Sequence, residues 1–591
     1  MRLKSVTLLG FMGSNSTSST VMLHVVQTTL RNYKQHLLLG LIIILAAFLR
    51  FYHLGSLPYG FHRDEVLNGY VGRFTLQNGV DLYSNTWPIL YFDNFGDYPN
   101  ILPMYISGLS TYVFGINEFA VRFPIALAGV LSVVLIYLLA NFIFQKQNTA
   151  LFASFLVAIQ PWHIVLSRAT AEGVLASTTF LLATILLFYG IAKQKLPLLL
   201  LSFFLSGSTY LLYPAYRVLV PIILLPSFVL TDSKKIKTVL ITGVIFFFIL
   251  TLAISQTTWG RGRFDQTTLF SQQSRPYVLI ENFKAGMGGR PLLETRIFHN
   301  KIVLYGRELL YQYLSYFSGD YLFSRGGMPQ RYQIPDIGLI YYAYLLGIVL
   351  FLIPSKLLKL LGIKSLRTKI VKNDKWLFYY FLLYILLVAP LASVVTQDDV
   401  PNVHRSFLMS VTIVFPIAYV FTQLFNYRWQ KKRFSISLGI LISFVMCLEF
   451  IYFWQIYTVH SSTFQTLYRE DDKKPLLAYL DENQNKYDHI YLPSEDKLAL
   501  YYLFDKRDFN SNLAGKFQKN LHIDQIGKLT FIDERCVSSK LDPNKILPNS
   551  LIINRSECQA ELGFYEIART KRLNSTDAYT MLVYKKPELN Q

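Results

Sequence analysis

His62, Arg63, Asp64 and Glu65 stand together in a stretch flanked by apolar sequence, and the acid pair offers the first proton chemistry in the chain. A carboxylate near a membrane interface loses hydration, which raises its pKa and suits it to take a proton from a hydroxyl as a general base. The same pair also suits the first turn of a helix beginning at Val66, where acids complement unpaired amide groups. His62 and Arg63 could tune the acids or hold an anion.

Four further clusters carry ionisable side chains. Tyr91–Pro99 contains Asp93 and Asp97; Asp97, ahead of Tyr98-Pro99, is either a turn residue or an oxygen ligand for a divalent cation. In Pro161–Glu172, His163 follows Trp162, while Arg168 and Glu172 lie four apart. On one helix those two would share a face and pair. Alternatively, the planar fork of Arg168 could grip a phosphate. Tyr213, Tyr216 and Arg217 follow, and then Asp398, Asp399, His404 and Arg405. His404 and Arg405 are either loop and interface anchors or a cationic site opposite Asp64, where they would stabilise a departing anion.

The elements that must position these clusters are membrane helices. Of 591 residues, 52% are hydrophobic and only 16% charged, and the charges fall in bursts between long apolar runs. A bilayer takes about 20 apolar residues per helix. Eleven spans are expected, at about 36–51, 120–143, 149–166, 174–192, 196–212, 217–231, 237–255, 337–354, 376–395, 406–425 and 434–456. Pro214 and Pro221 should bend the chain between the two short ones. Alternate loops are basic (Lys146; Lys193 and Lys195; Lys234 and Lys235; 356–375; 428–433), as they must be if they face the cytoplasm. This reading accounts for the net charge of +20 without a nucleic-acid partner. It predicts a multi-pass plasma-membrane protein with a disordered cytoplasmic segment at 1–35 and a membrane domain at 36–456. Outer loops occupy 52–118 and 256–336, and an extracytoplasmic domain fills 457–591. Leu102–Phe114 reads as a short interfacial helix. Runs at His489–Leu492, Leu529–Ile532 and Leu551–Ile553 predict a small α/β tail domain, where Cys536 and Cys558 could pair if the compartment is oxidising. All five ionisable clusters then lie on the outer side, at the ends of spans.

The Asp64-Glu65 pair after the first span, followed by Phe114-Gly115-Ile116-Asn117-Glu118-Phe119-Ala120-Val121-Arg122-Phe123-Pro124, resembles bacterial glycosyltransferase family 39. Related membrane transferases include protein O-mannosyltransferases and lipid A aminoarabinose transferases, which share the GT-C fold. Pro161-Trp162-His163, Ser167-Arg168 and Glu172, together with Tyr321-Leu322-Phe323, resemble a bacterial subgroup of this superfamily. The resemblance is good over 36–230, weaker over 300–456 and absent from the tail.

It implies an inverting transfer of sugar from a polyprenyl-phosphate donor to a protein, lipid or glycan acceptor. Asp64 would be the base, by position, and Glu65 its support. Arg168, Arg217, His404 and Arg405 would hold the donor phosphate, with His62, His163 and Glu172 in supporting roles. Aminoarabinose transferases carry Glu-Lys-Pro at a metal position; Asp97-Tyr98-Pro99 stands there here, a substitution that weighs against the metal. A divalent metal ion is thus the one cofactor in question, with Asp97 joining Asp64 or a histidine around it. The rival class is a transporter or flippase of a lipid-linked saccharide. Such proteins commonly carry internal repeats, and the sequence shows no convincing one.

Overall fold

The computed structural model describes residues 17–94, 98–272, 274–286, 293–354, 375–426, 432–495, 497–559 and 561–585. In hydrocarbon every backbone polar group must find its partner within the chain, so the apolar runs become helices. Among the described residues, seven helices are long and apolar enough to cross a membrane: Tyr33–Phe51, Glu118–Phe144, Glu172–Ala192, Lys234–Ser255, Trp376–Val394, Phe407–Phe425 and Ser437–Phe464. Gln147–Ile159 and Pro161–Ser167 supply an eighth if their 58° bend is taken within one span. The other three expected spans are also helical, but Leu196–Leu212, Tyr216–Leu230 and Tyr342–Leu352 are shorter than the ~20 residues a bilayer takes. Among the described residues, seven or eight of the eleven expected spans therefore reach that length. Apolar composition located the segments, whereas Pro214 and the polar flanks limited their lengths.

The first helix, α1 (Thr17–Phe51), begins well before its apolar part. Residues 17–35 contain neither Gly nor Pro and continue as helix, not as the expected disordered segment. After α1 the chain forms two short helices outside the bundle, α2 (Arg63–Asn78) and α3 (Ile101–Phe114), the second close to the expected interfacial helix. They cross at Gly72 and Gly108. A Cβ on Gly72 would come within 1.9 Å of the Met104 carbonyl oxygen, so only glycine permits this approach. The bundle continues with α4 (Glu118–Phe144), α5 (Gln147–Ile159), α6 (Pro161–Ser167), α7 (Glu172–Ala192), α8 (Leu196–Leu212), α9 (Tyr216–Leu224) and α10 (Lys234–Ser255).

The tail carries a six-stranded mixed sheet of β1 (His489–Pro493), β2 (Gln525–Ile526), β3 (Leu529–Ile532), β4 (Ser550–Arg555), β5 (Phe564–Lys571) and β6 (Asp577–Tyr584), in the order β2-β3-β1-β4-β6-β5. The centre is parallel, with Ile490 opposite Leu529 on one side and Leu551 on the other; the edges are antiparallel. Side chains alternate between its faces. Leu551 and Ile553 join a core with Val66, Tyr70 and Phe74 of α2 and with Leu500, Leu503 and Phe504. Ile552 packs on the other face with Tyr491, Val537 and Leu582. The tail therefore shares one hydrophobic core with the helix that carries Asp64 and Glu65, and this common core fixes the tail against that helix. Cys536 and Cys558 form a disulfide.

Candidate active site

The acid pair is oriented by the start of α2. The helix begins at Arg63 rather than Val66, with His62 as its N-cap. The His62 ring accepts a hydrogen bond from the Asp64 amide (3.2 Å), and the Glu65 carboxylate accepts one from the His62 amide (3.1 Å). This reciprocal cap satisfies two otherwise orphaned donors, and it sends the neighbouring acids to different environments.

Glu65 turns inward. Its side chain is 3% exposed and lies between two buried arginines. Arg122 donates from Nε (3.1 Å) and Nη2 (2.9 Å), and Arg469 from Nη2 (3.0 Å). The Thr170 amide adds a longer bond at 3.3 Å. Burial by itself would raise this carboxyl, but Arg122 and Arg469 outweigh it and hold Glu65 down to about 2. Glu65 is a structural anchor that joins α2, α4 and the tail, and it does not line the cavity described below.

Asp64 turns outward, with 44% of its side chain exposed. Arg331 Nη2 and His62 Nδ1 each lie 3.4 Å from its Oδ2, and Lys497 Nζ lies 3.7 Å from Oδ1. Burial and then the neighbouring Arg331 hold the His62 imidazole well below its ordinary value. That direction agrees with the bond its ring accepts from the Asp64 amide. Lys497 comes from the tail. The helix behind it, Leu498–Asp505, is tied to the start of α2 by Tyr501, whose hydroxyl donates to the Phe61 carbonyl at 2.5 Å.

Asp64 faces a cavity of about 500 Å³. Its wall includes apolar Leu212, Val218, Ile254 and Phe264, and it also carries Arg217, Arg261, Arg331, Arg405 and Lys497 together with Asp398 and Asp399; Arg217 and Arg261 bond neutral partners, not these acids. Glu172, at the first turn of α7, also lines it and accepts a hydrogen bond from Asn68 (2.9 Å). His404 is present, but its Nε2 accepts the Gly173 amide at 2.7 Å and its ring stacks on Tyr213 at 4.4 Å. A Cβ on Gly173 would meet the His404 ring at 2.6 Å, so glycine allows this contact. With that nitrogen engaged as an acceptor, His404 positions the wall rather than supplying a cation. Arg405 forms a forked pair with Asp398 (3.1 and 2.8 Å), and that carboxylate outweighs burial, so Arg405 lies above its ordinary value. Arg217 stacks on Trp259 at 3.7 Å and donates to Asn100 at 2.7 Å.

Two of the residues expected at the site lie elsewhere. Arg168 is fully buried and donates to the carbonyls of Leu49 (2.7 Å), Tyr52 (2.5 Å) and Leu57 (3.3 Å). It caps the open carbonyl end of α1. It does not share a helix with Glu172, because the chain turns between α6 and α7. His163 is buried in the bundle, 2.8 Å from Arg50 and 2.7 Å from Ser132. Arg50 in turn bonds the Val157 and Ala158 carbonyls at the end of α5, so this group fixes the bend.

Asp97 lies outside the described residues. Among those described, no three His, Cys, Asp or Glu side chains converge as a metal site. Sequence reasoning missed Arg331 and Lys497, which stand far from Asp64 in the chain. A basic residue in an outer loop and another in the tail carry no local signal of a shared site.

Comparison with known proteins locates the likeness in part of this framework. Residues 97–259 match the family model for dolichyl-phosphate-mannose-protein mannosyltransferase. This agrees with the family expected from the sequence. The matched segment runs from beside the Asp64 cavity through α3–α10 and includes Arg217 and Glu172. YkcB of Bacillus subtilis (strain 168), provisionally named a mannosyltransferase, is 39% identical over 119 residues. That alignment covers 19% of this chain and 16% of the relative, so the chain spans about a sixth of the curated protein it matches. Two solved structures of ArnT from Cupriavidus metallidurans are similar over 92% of this chain and 97% of theirs. The one bound to undecaprenyl phosphate has a TM-score of 0.46 at 10% identity, and the apo form 0.45 at 11%.

Proposed function

We propose that the protein is an integral-membrane glycosyltransferase that moves a sugar from a polyprenyl-phosphate donor to an acceptor hydroxyl on the extracytoplasmic face. The observation that carries this reading is Asp64: an exposed carboxylate opens into a cavity whose wall joins an apolar flank to several cations. The family match supports the donor class. The disulfide in the tail supports an oxidising compartment for that side.

In the reaction, the acceptor hydroxyl gives its proton to Asp64 as its oxygen bonds to the anomeric carbon. The bond from that carbon to the phosphate oxygen breaks, and the electron pair leaves with the phosphate. A single displacement of this kind inverts the anomeric centre. Arg217 and Arg261, whose partners are neutral, offset the charge that develops on the phosphate, while Arg405 is held by Asp398 and shapes the wall beside them; such preformed donors need little reorganisation. The lipid chain lies along Leu212, Val218, Ile254 and Phe264, and Arg331 and Lys497 fix the carboxylate. Glu65 and Arg168 act through structure alone.

The test is transfer in detergent from a radiolabelled polyprenyl-phosphate sugar by the purified protein. A glycosyltransferase moves the label off the polyprenyl phosphate to a protein, lipid or glycan acceptor with no bilayer present. A flippase leaves all of it on the polyprenyl phosphate, and that result would overturn the reading.

A further inference from the structure

A second cavity, of about 510 Å³, lies between the sheet domain and the outer loops. It meets the first at Pro329, Arg331 and Asp399, which line both. Two of its residues, His62 and Arg331, each stand 3.4 Å from the Asp64 carboxylate. A molecule seated in it is thus separated from Asp64 by one layer of side chains.

Its wall is polar but nearly balanced in charge. Arg63 pairs with Glu470 at 2.5 Å, Arg535 with Glu557 at 3.8 Å, and Arg572 with Asp472 at 3.7 Å, while Arg555 also bonds Asp472. An anionic ligand would have to displace acids already paired to these arginines. A hydroxyl both donates and accepts, so a polyhydroxylated ligand can engage guanidinium and carboxylate groups together. Tyr468, 41% exposed, and Met328 add an apolar surface for the C–H face of a sugar ring.

We infer that this cleft binds the acceptor, and that the acceptor is a neutral saccharide whose hydroxyl reaches Asp64 past Arg331 and His62. The inference rests on the glycosyltransferase reading, to which it adds the acceptor class. The donor and acceptor then enter from different sides, the donor beside the apolar wall and the acceptor from beneath the sheet domain. The tail domain supplies much of the acceptor cleft.

The test measures binding of two probes to the full-length protein in detergent: a fluorescent neutral tetrasaccharide and unlabelled polyprenyl phosphate. Arg535→Ala removes a side chain that is 67% exposed, and Tyr468→Ala a half-exposed ring, so both variants retain the fold. Each is expected to weaken tetrasaccharide binding tenfold or more and to leave polyprenyl-phosphate binding within twofold. No tetrasaccharide binding by the wild type, unchanged binding in both variants, or stronger competition from a Ser/Thr-rich peptide overturns the assignment. Failure of polyprenyl phosphate to bind while the tetrasaccharide binds normally overturns the glycosyltransferase reading instead.

Discussion

Replacing Glu65 with Gln separates the two adjacent acids by their physical roles. The wild-type carboxylate receives bonds from both Arg122 and Arg469 and from the His62 amide. The glutamine side chain is close in shape, but it carries no charge and turns an amide donor towards these donors. Two measures of the cost agree. Glu65 is held at about 2 against an ordinary 4.5, and a neutral side chain forfeits that preference, about 3 kcal/mol. Removing one partner of a buried pair costs about 3–5 kcal/mol in general, because the other charge is left unpaired. A loss of about 3 kcal/mol lowers the ratio of folded to unfolded protein by a factor on the order of 100. Heat or denaturant resistance of the detergent-purified protein, followed by size exclusion, reads that loss. Any Glu65→Gln protein that remains folded should retain substantial transfer activity. A variant as stable as wild type yet inactive would refute the reasoning and make Glu65 the reacting acid.

Acid should act through the same group. A carboxyl near 4.5 when unfolded and about 2 when folded contributes its full stability above pH ~4.5 and loses it as the pH falls towards 2. Glu65→Gln should flatten that limb of a stability–pH profile, and parallel profiles for the two proteins would contradict the clamp. Lys497→Met, which keeps length but removes the cation 3.7 Å from Asp64, should lower kcat/KM by roughly fivefold, about 1 kcal/mol, with little change in stability. Steady-state transfer and thermal unfolding check it together; unchanged kinetics would detach the tail from the site. Replacing Cys536 and Cys558 by Ser opens a loop of 22-residue separation, worth about 3 kcal/mol in the chain-entropy model. Proteolysis of the sheet domain should accelerate, and identical cleavage rates would count against that estimate.

The membrane helices were legible because burial in hydrocarbon imposes long apolar runs, and β1, β3 and β4 because short apolar strands stand out in a polar tail. Their lengths were less legible, as Tyr342–Leu352 shows: only 11 residues of the expected span 337–354 are helical. Asp64 was found from its type and its place after the first span. Its separation from Glu65 depends on the cap at His62 and on Arg469, which is more than 400 residues away in the chain. Arg168 was misread for the same reason. Its carbonyl partners belong to α1 and the loop after it, and spacing alone pointed to Glu172. Arg217 and Arg405 do line the cavity, whereas His163 is held deep in the bundle by Arg50.

The central claim is that Asp64 accepts the acceptor's proton. Asp64→Asn changes one partly exposed side chain and should leave stability within about 1 kcal/mol of wild type, as expected for a surface ion pair. Transfer of labelled sugar from polyprenyl phosphate by the purified variant is the direct measurement. The account predicts a fall in kcat of about 100-fold or more, in the range of a lost general base, with the variant still folded and binding polyprenyl phosphate. Turnover within a few fold of wild type would contradict it.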